Sequence, residues 1–365
     1  MSSAAPDCRG SAAYDCGHAL KKIALWKIGA LGDVLMTTPL LRQIRAALPD
    51  AQIDYLVGRS CAAVLEGNPH VSRVVRFDEG VLYERRLAQL PALVQLLRGY
   101  DAVLILDKHW IFPLLARLAS VPIRVGFERR RADSLFLTAK VPYGAIRHEI
   151  AYYLALGQAF GVRVDYDDMA MELPAAEPRP VATPYRVLIN GGGANANEQS
   201  NVRRMPDSLF SKLVEACLAK GTVVFLGSKD ESRQYEKFAG ARALNLCGGT
   251  TLREAWDVLE HAEEVFSTDT GLMHMAGAVN PRLTAIFGPT HPGRKCPPGA
   301  RWAWSDEDIY DDRYELYGKV PDRNFFEKMR VQDIGAATAD GHLSSRGKSV
   351  APQAPATSST RDLAQ

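Results

Sequence analysis

Two successive α/β units, each a doubly wound parallel sheet, are the fold this sequence predicts. Three observations predict it. Short apolar runs of strand length alternate with amphipathic helical runs between residues 22 and 288. The alternation stops at 174–184, PAAEPRPVATP, where four prolines exclude a continuous helix or strand. It restarts at Tyr185 with the same order of strand, glycine-rich turn and helix. The expected division is a flexible tail (1–18), a first domain (19–175), a linker (176–184), a second domain (185–330) and a mostly disordered tail (331–365).

In the first unit, 22–28 (KIALWKI) is a strand and Gly29-Ala30-Leu31-Gly32-Asp33 a turn. The helical rhythm of 34–47 follows. Thr38-Pro39 either starts that helix late, as a cap and first-turn proline, or kinks a helix that begins near Asp33. Strands are expected at 52–57, 73–77, 102–106 and 124–127, and helices at 85–97 and 149–160. In the second unit 185–189 is a strand, 190–195 a glycine turn and 207–220 a helix closed by Gly221. Strand 222–226, the loop Gly227-Ser228-Lys229-Asp230 and helices 231–238 and 252–261 come next.

The stretch 267–288, STDTGLMHMAGAVNPRLTAIFG, then reads strand, turn, helix, strand. Its residues 269–274 fall where a strand feeds a helix N-terminus. The first backbone N–H groups there lack partners and the dipole end is positive, which suits phosphate. Asp269 can accept hydrogen bonds from hydroxyls and His274 can donate one to a phosphate oxygen. The plainer reading is that Asp269 or Thr270 caps a core helix. Ligands of such sheets bind at the carboxyl ends of strands, so the loops at 191–195, 227–230 and 268–271 are expected to converge.

Composition narrows the partners. A net charge of +2 implies no polyanion, so no nucleic acid is expected. Six scattered cysteines without a CxxC pair speak against a zinc site or disulfide framework. No apolar run approaches the ~18–20 residues of a membrane span, and 1–17 lacks an apolar signal core. The acidic run 306–312, DEDIYDD, lacks calcium-loop spacing. No metal and no cofactor are expected.

Individual loops leave alternatives open. Gly29-x-x-Gly32-Asp33 is neither GxGxxG nor a P-loop; Asp33 is a general base if desolvated, or a turn and capping residue. Arg203-Arg204 is a diphosphate clamp or solvated surface charge. Arg129, Arg130 and Arg131 face an anionic acceptor or membrane surface, or form a solvated loop. Glu149 fits first-turn dipole preference without any function.

Two motifs together resemble a known family. Residues 28–58, IGALGDVLMTTPLLRQIRAALPDAQIDYLVG, resemble the N-terminal signature of glycosyltransferase family 9, the heptosyltransferases, and 267–294 its C-terminal donor-site signature. RVGFERRR, HEIAYYLALGQAFGV and VLINGGGAN fall between them in the expected order, so the resemblance covers roughly 21–300. It implies a GT-B fold, two Rossmann-like domains facing a cleft. It also implies inverting, metal-free transfer of a heptose from an ADP-heptose-type donor to lipopolysaccharide core or a related glycan. Asp33 matches the family's catalytic base. Asp269, Thr270, Gly271, Leu272 and His274 match its donor-binding DTGLxH, and Arg203 its basic phosphate contact; Gly192 and Gly193 of the glycine turn join the donor set. Gly32, Arg129, Arg130 and Arg131 are the acceptor-side candidates.

This sequence departs from the family in three places. Lys229 stands where some members hold the ribose with an acidic residue, with Asp230 one later; Met205 replaces a tryptophan; and 302–329 is not recognised from the core enzymes. A protein or small-molecule acceptor, or another nucleotide-sugar, is therefore a second expectation. A non-catalytic nucleotide-sugar-binding protein would not need Asp33, and nicotinamide chemistry would want the missing GxGxxG. The expected location is cytoplasmic, with peripheral contact at the inner membrane.

Overall fold

The computed structural model describes residues 20–84, 86–192, 200–305, 310–318, 323–340 and 342–343. Strands β1 (Lys22–Lys27), β2 (Gln52–Gly58), β3 (Arg73–Phe77), β4 (Ala102–Ile105), β5 (Ile123–Glu128) and β6 (Ala139–Pro142) form one parallel sheet in the order β3-β2-β1-β4-β5-β6. Strands β7 (Tyr185–Ile189), β8 (Thr222–Phe225), β9 (Ala243–Asn245), β10 (Glu264–Thr268), β11 (Leu283–Phe287), β12 (Arg301–Trp304) and β13 (His342–Leu343) form a second, ordered β13-β12-β11-β10-β7-β8-β9. All its pairs are parallel as well. Both sheets therefore run outward in opposite directions from a central pair, β1/β4 in the first and β7/β10 in the second. That pair is the topological switch point, where a crevice opens at the strands' carboxyl ends.

The central strands are apolar throughout because both faces are covered. β4, β7 and β11 are buried at every residue. Glu149–Phe160 is buried along most of its length and packs beside Thr38–Ala47. The helical run after β1 breaks in two, Leu31–Leu35 and Thr38–Ala47. The Thr37 and Thr38 hydroxyls turn back onto the carbonyls of Val34 and Leu35, and Pro39 sits in the first turn of the second piece. Each of the two expected starts is thus partly right.

The proline-rich stretch has no regular secondary structure, yet it is anchored. Just before it Arg42 pairs with Asp168 and Glu172 at 2.6 Å each, and within it the Arg179 N–H donates to Asp257 of the helix Leu252–Glu260. Residues 331–340, expected to be tail, instead include the helix Val331–Gly335. Ile334 and Ala337 there are buried against the second sheet, and His342–Leu343 add its outer strand. An Ala- and Ser-rich stretch hides such sparse apolar anchors. The helix Ile111–Leu118 and strands β6, β9 and β12 were not expected either; β9 and β12 are three and four residues long. Among the described residues no helix is long and apolar enough to cross a membrane.

Candidate active site

The two switch points face each other across one cavity of about 150 Å³. The loop after β1 contributes Ala30, Gly32 and Asp33; the loop after β10 contributes Asp269, Thr270 and Gly271. The facing helices touch: a Cβ on Gly32 would lie 2.4 Å from His274 Cδ2, and one on Gly271 would lie 2.9 Å from Leu31 Cδ2. At Gly32 the His274 ring leaves no room for a Cβ, while at Gly271 the Leu31 side chain would have to give way.

On the first side the charges alternate. Asp33 Oδ1 accepts from Lys295 Nζ at 3.0 Å, and its Oδ2 lies 3.7 Å from Lys27 Nζ. Lys27 in turn holds Asp107 at 2.5 Å, and Asp107 also accepts the Ile28 N–H. Lys108 donates to Glu149 at 2.8 Å, and the Tyr143 hydroxyl donates to the other Glu149 oxygen. Burial opposes the charge on Asp33, but Lys295, Lys27 and Lys108 outweigh it and hold the carboxyl far below the usual carboxylate range. Glu149 follows the same pattern: burial opposes its charge, and Lys108 and Lys295 hold it down at about 2.

The second side is built from helix-end amides and a single arginine. Thr270 caps Gly271–Val279, its hydroxyl accepting from Met273 N–H, so the amides of the first turn point at the cavity end of the helix. Thr270 is thus a cap and a cavity residue at once. Arg203 Nη1 lies 3.5 Å from Asp269 Oδ2, and its Nε donates to the Tyr314 hydroxyl at 2.8 Å. Asp269 and His274 are almost fully buried, and among the described residues Asp269 Oδ2 and His274 Nδ1 have no hydrogen-bond partner. Burial pushes the His274 imidazole down to about 4, so it is neutral near pH 7 and retains one N–H donor.

Of the expected residues, Asp33, Gly32, Arg203, Asp269, Thr270, Gly271 and His274 meet on this cavity. Leu272 packs its side chain on the core, and Gly192 is buried but off the cavity wall. Gly193 lies outside the described residues. Arg129, Arg130 and Arg131 are elsewhere: Arg129 donates to the Leu316 and Lys108 carbonyls, the Arg130 N–H donates to Asp133, and Arg130 and Arg131 are exposed. The arginine pair also divides, since Arg204 turns away to the Asn190 carbonyl and Gln234.

Several wall residues were not expected. Lys108, Glu149 and Lys295 line the cavity, as do Tyr314 and Glu315 of the helix Asp312–Tyr317. That helix lies in the segment the family resemblance could not place. Glu231, off the cavity wall, was not expected either: its carboxylate fits against the hydrogens of Gly191 and Gly227, where a Cβ would meet it at 2.6 Å, and it accepts the Ser228 N–H. It stands near the loop where only Lys229 and Asp230 were weighed. Among the described residues no cluster of His, Cys, Asp and Glu forms a metal-ligand set.

Comparison with known proteins gives the chain's relatives. The chain is 26% identical to lipooligosaccharide heptosyltransferase 2 of Haemophilus ducreyi, over 72% of this chain and 82% of that one. It is 24% identical to an Escherichia coli lipopolysaccharide heptosyltransferase 3, over 71% and 81%. The fold matches E. coli ADP-heptose lipopolysaccharide heptosyltransferase II (TM-score 0.64, 21% identity, 81% of this chain and 97% of that one). It also matches E. coli heptosyltransferase WaaC solved with ADP (0.59, 22%, 76% and 90%). These likenesses establish the GT-B arrangement of the two sheets. The family model for glycosyltransferase family 9 (heptosyltransferase) matches residues 91–309, more than half of the sequence, and the chain belongs to that family of glycosyltransferases.

Proposed function

We propose that this enzyme transfers a heptose from an ADP-heptose-type donor to a hydroxyl of lipopolysaccharide core or a related glycan, with inversion at the anomeric carbon. The observation that carries the reading is the shared cavity, with an ionised carboxylate on one wall and an anion-binding helix end with Arg203 on the other. The names of the similar proteins, heptosyltransferases that include one solved with ADP, support the donor.

In this reading residues 19–175 are the acceptor-side domain and 185–330 the donor-side domain. The diphosphate lies at the amides of Thr270, Gly271 and Leu272 and against Arg203. His274 donates its N–H, and Asp269 accepts donor hydroxyls. Glu231 accepts the ribose hydroxyls. The acceptor oxygen attacks the anomeric carbon from the Asp33 side and gives its proton to that carboxylate. The bond from the anomeric carbon to the phosphate oxygen breaks, and its electron pair leaves with ADP. A lipid-linked acceptor would place the enzyme on the cytoplasmic side, in peripheral contact with the inner membrane.

The test is mass spectrometry of candidate acceptors incubated with ADP-heptose and other nucleotide-sugars, with free-sugar release as control. An acceptor gaining one heptose is the expected product. Transfer from a different nucleotide-sugar alone, or sugar release without transfer, would overturn the reading.

A further inference from the structure

Lys295 is the cation nearest the proposed base, and it comes from the opposite half of the molecule. It ends the helix Pro292–Lys295, beyond β11, and its Nζ reaches across the cavity to Asp33. It lines the same cavity as Arg203, Thr270 and Gly271, the wall to which the diphosphate is assigned. Its backbone is held on both flanks. Arg294 Nη2 donates to the Gly144 carbonyl at 2.6 Å and its Nε lies 3.2 Å from Glu315, while the Cys296 carbonyl is hydrogen-bonded to His148 Nε2 at 2.8 Å. The lysine stem, by contrast, is a flexible four-carbon chain ending in a compact charge, so the ammonium can change partner without the backbone moving.

We propose that Lys295 has two stations: it pairs with Asp33 before the donor binds, and moves onto the donor diphosphate when the donor enters, releasing the carboxylate to act as base. This rests on the nucleoside-diphosphate donor proposed above. The groups facing the pair make the exchange feasible. Asp33 keeps Lys27 beside its second oxygen, so it does not become a lone buried charge when Lys295 leaves. Paired with Asp33, Lys295 is charged: burial works against its proton, but Asp33, Glu149, Tyr143 and Asp269 around it more than compensate. A diphosphate carries more negative charge than one carboxylate and therefore competes for the ammonium. With Lys295 in place, Asp33 is a weak base, because Lys295, Lys27 and Lys108 all favour its ionised form. Departure of the nearest cation strengthens it at the moment an acceptor can be used. Donor binding and base activation become one event.

The experiment is calorimetry of ADP and of adenosine on the full chain, with wild type and four variants compared. Asp33→Asn removes the carboxylate that competes for Lys295, so it should bind ADP a few-fold more tightly than wild type and adenosine equally. Lys295→Met should bind ADP at least about tenfold more weakly, with adenosine unchanged, and Lys295→Arg should recover most of that loss. The double variant Asp33→Asn/Lys295→Met should show none of the gain. A purely structural bridge predicts no ADP gain in Asp33→Asn, and that result overturns the proposal even if the Lys295 variants fail to fold. Equal losses for ADP and adenosine in Lys295→Met also overturn it. A wild type that binds no ADP removes the donor reading itself, whereas ADP binding that is indifferent to Asp33→Asn removes only the two-station lysine.

Discussion

The first switch point, between β1 and β4, is packed with side-chain charges: Lys27 and Asp107 at the strand ends, Asp33, Lys108 and Glu149 around them. The second, between β7 and β10, presents helix-end amides, Arg203 and Asp269. The same strand order therefore serves two kinds of chemistry. A crevice lined by paired lysines and carboxylates keeps a carboxylate ionised and positioned. A crevice lined by backbone N–H groups and an arginine is made for an anion that arrives and departs. Carboxyl groups report the contrast directly. Asp33 and Glu149, among the lysines, are held down. Glu315, on the second side of the same cavity, is pushed up to about 7 by burial, against the pull of Tyr310 and Arg294.

The largest test of the contrast is Asp33→Asn. Asparagine keeps the shape and caps a helix as well as aspartate, but takes no proton at neutral pH. Turnover should fall by ~10²–10⁴-fold while the donor still binds. Steady-state kinetics and calorimetry on one folded preparation check it; near-wild-type turnover would leave Asp33 as a structural member of the charged crevice. Because Lys295, Lys27 and Lys108 hold the carboxyl so low in the donor-free enzyme, the acid side of the wild-type kcat/KM profile should show no limb from Asp33 near neutrality.

Next in size is Arg203→Ala on the other side. Losing one charged hydrogen bond should weaken ADP by about 1.5–3 kcal/mol and leave adenosine unaffected. Equal weakening of both ligands would show that Arg203 supports Tyr314 and the fold, and not the diphosphate.

The smallest effect concerns Glu315. Its proton affinity is raised in the folded state, from the ordinary 4.5 to about 7. Its contribution to stability is thus complete below about pH 4.5 and is lost as pH rises through about 7. Glutamine mimics the protonated acid at every pH. The melting temperature of Glu315→Gln relative to wild type should therefore improve by a few degrees between about pH 5 and about pH 8. The opposite trend would mean that Arg294 dominates and that the two sides hold their carboxyls alike.

The second switch point was the more legible of the two in the sequence, for a physical reason. Its residues 268–274 are contiguous, and a strand running into a helix cap sets their placement locally. The charged crevice is assembled from strand ends far apart in the chain, so no local pattern marks it. Lys27 reads as part of an apolar strand, Glu149 as a helix-dipole residue and Lys295 as the end of a proline-rich turn. Only the strand order reveals that they meet. Arg129, Arg130 and Arg131, by contrast, lie off the cavity. A run of like charge attracts attention, but Arg129 is turned by Asp133 and the Lys108 and Leu316 carbonyls into a bridge to the helix Asp312–Tyr317. The alternation of strand and helix was legible for most elements; β4 (AVLI) and β8 (TVVF), four residues each, stood out as apolar runs, whereas the equally short β6 (AKVP), β9 (ALN) and β12 (RWAW) are interrupted by polar residues and were missed.

The outer strands have a consequence for how copies of this protein meet. An exposed sheet border invites another chain to add a strand, and here each border is blunted. β3 carries the exposed Arg73 and Arg76, β6 carries Lys140 and ends in Pro142, β9 spans three residues and β13 two. Among the described residues, neither sheet offers a long apolar rim for edge-to-edge growth.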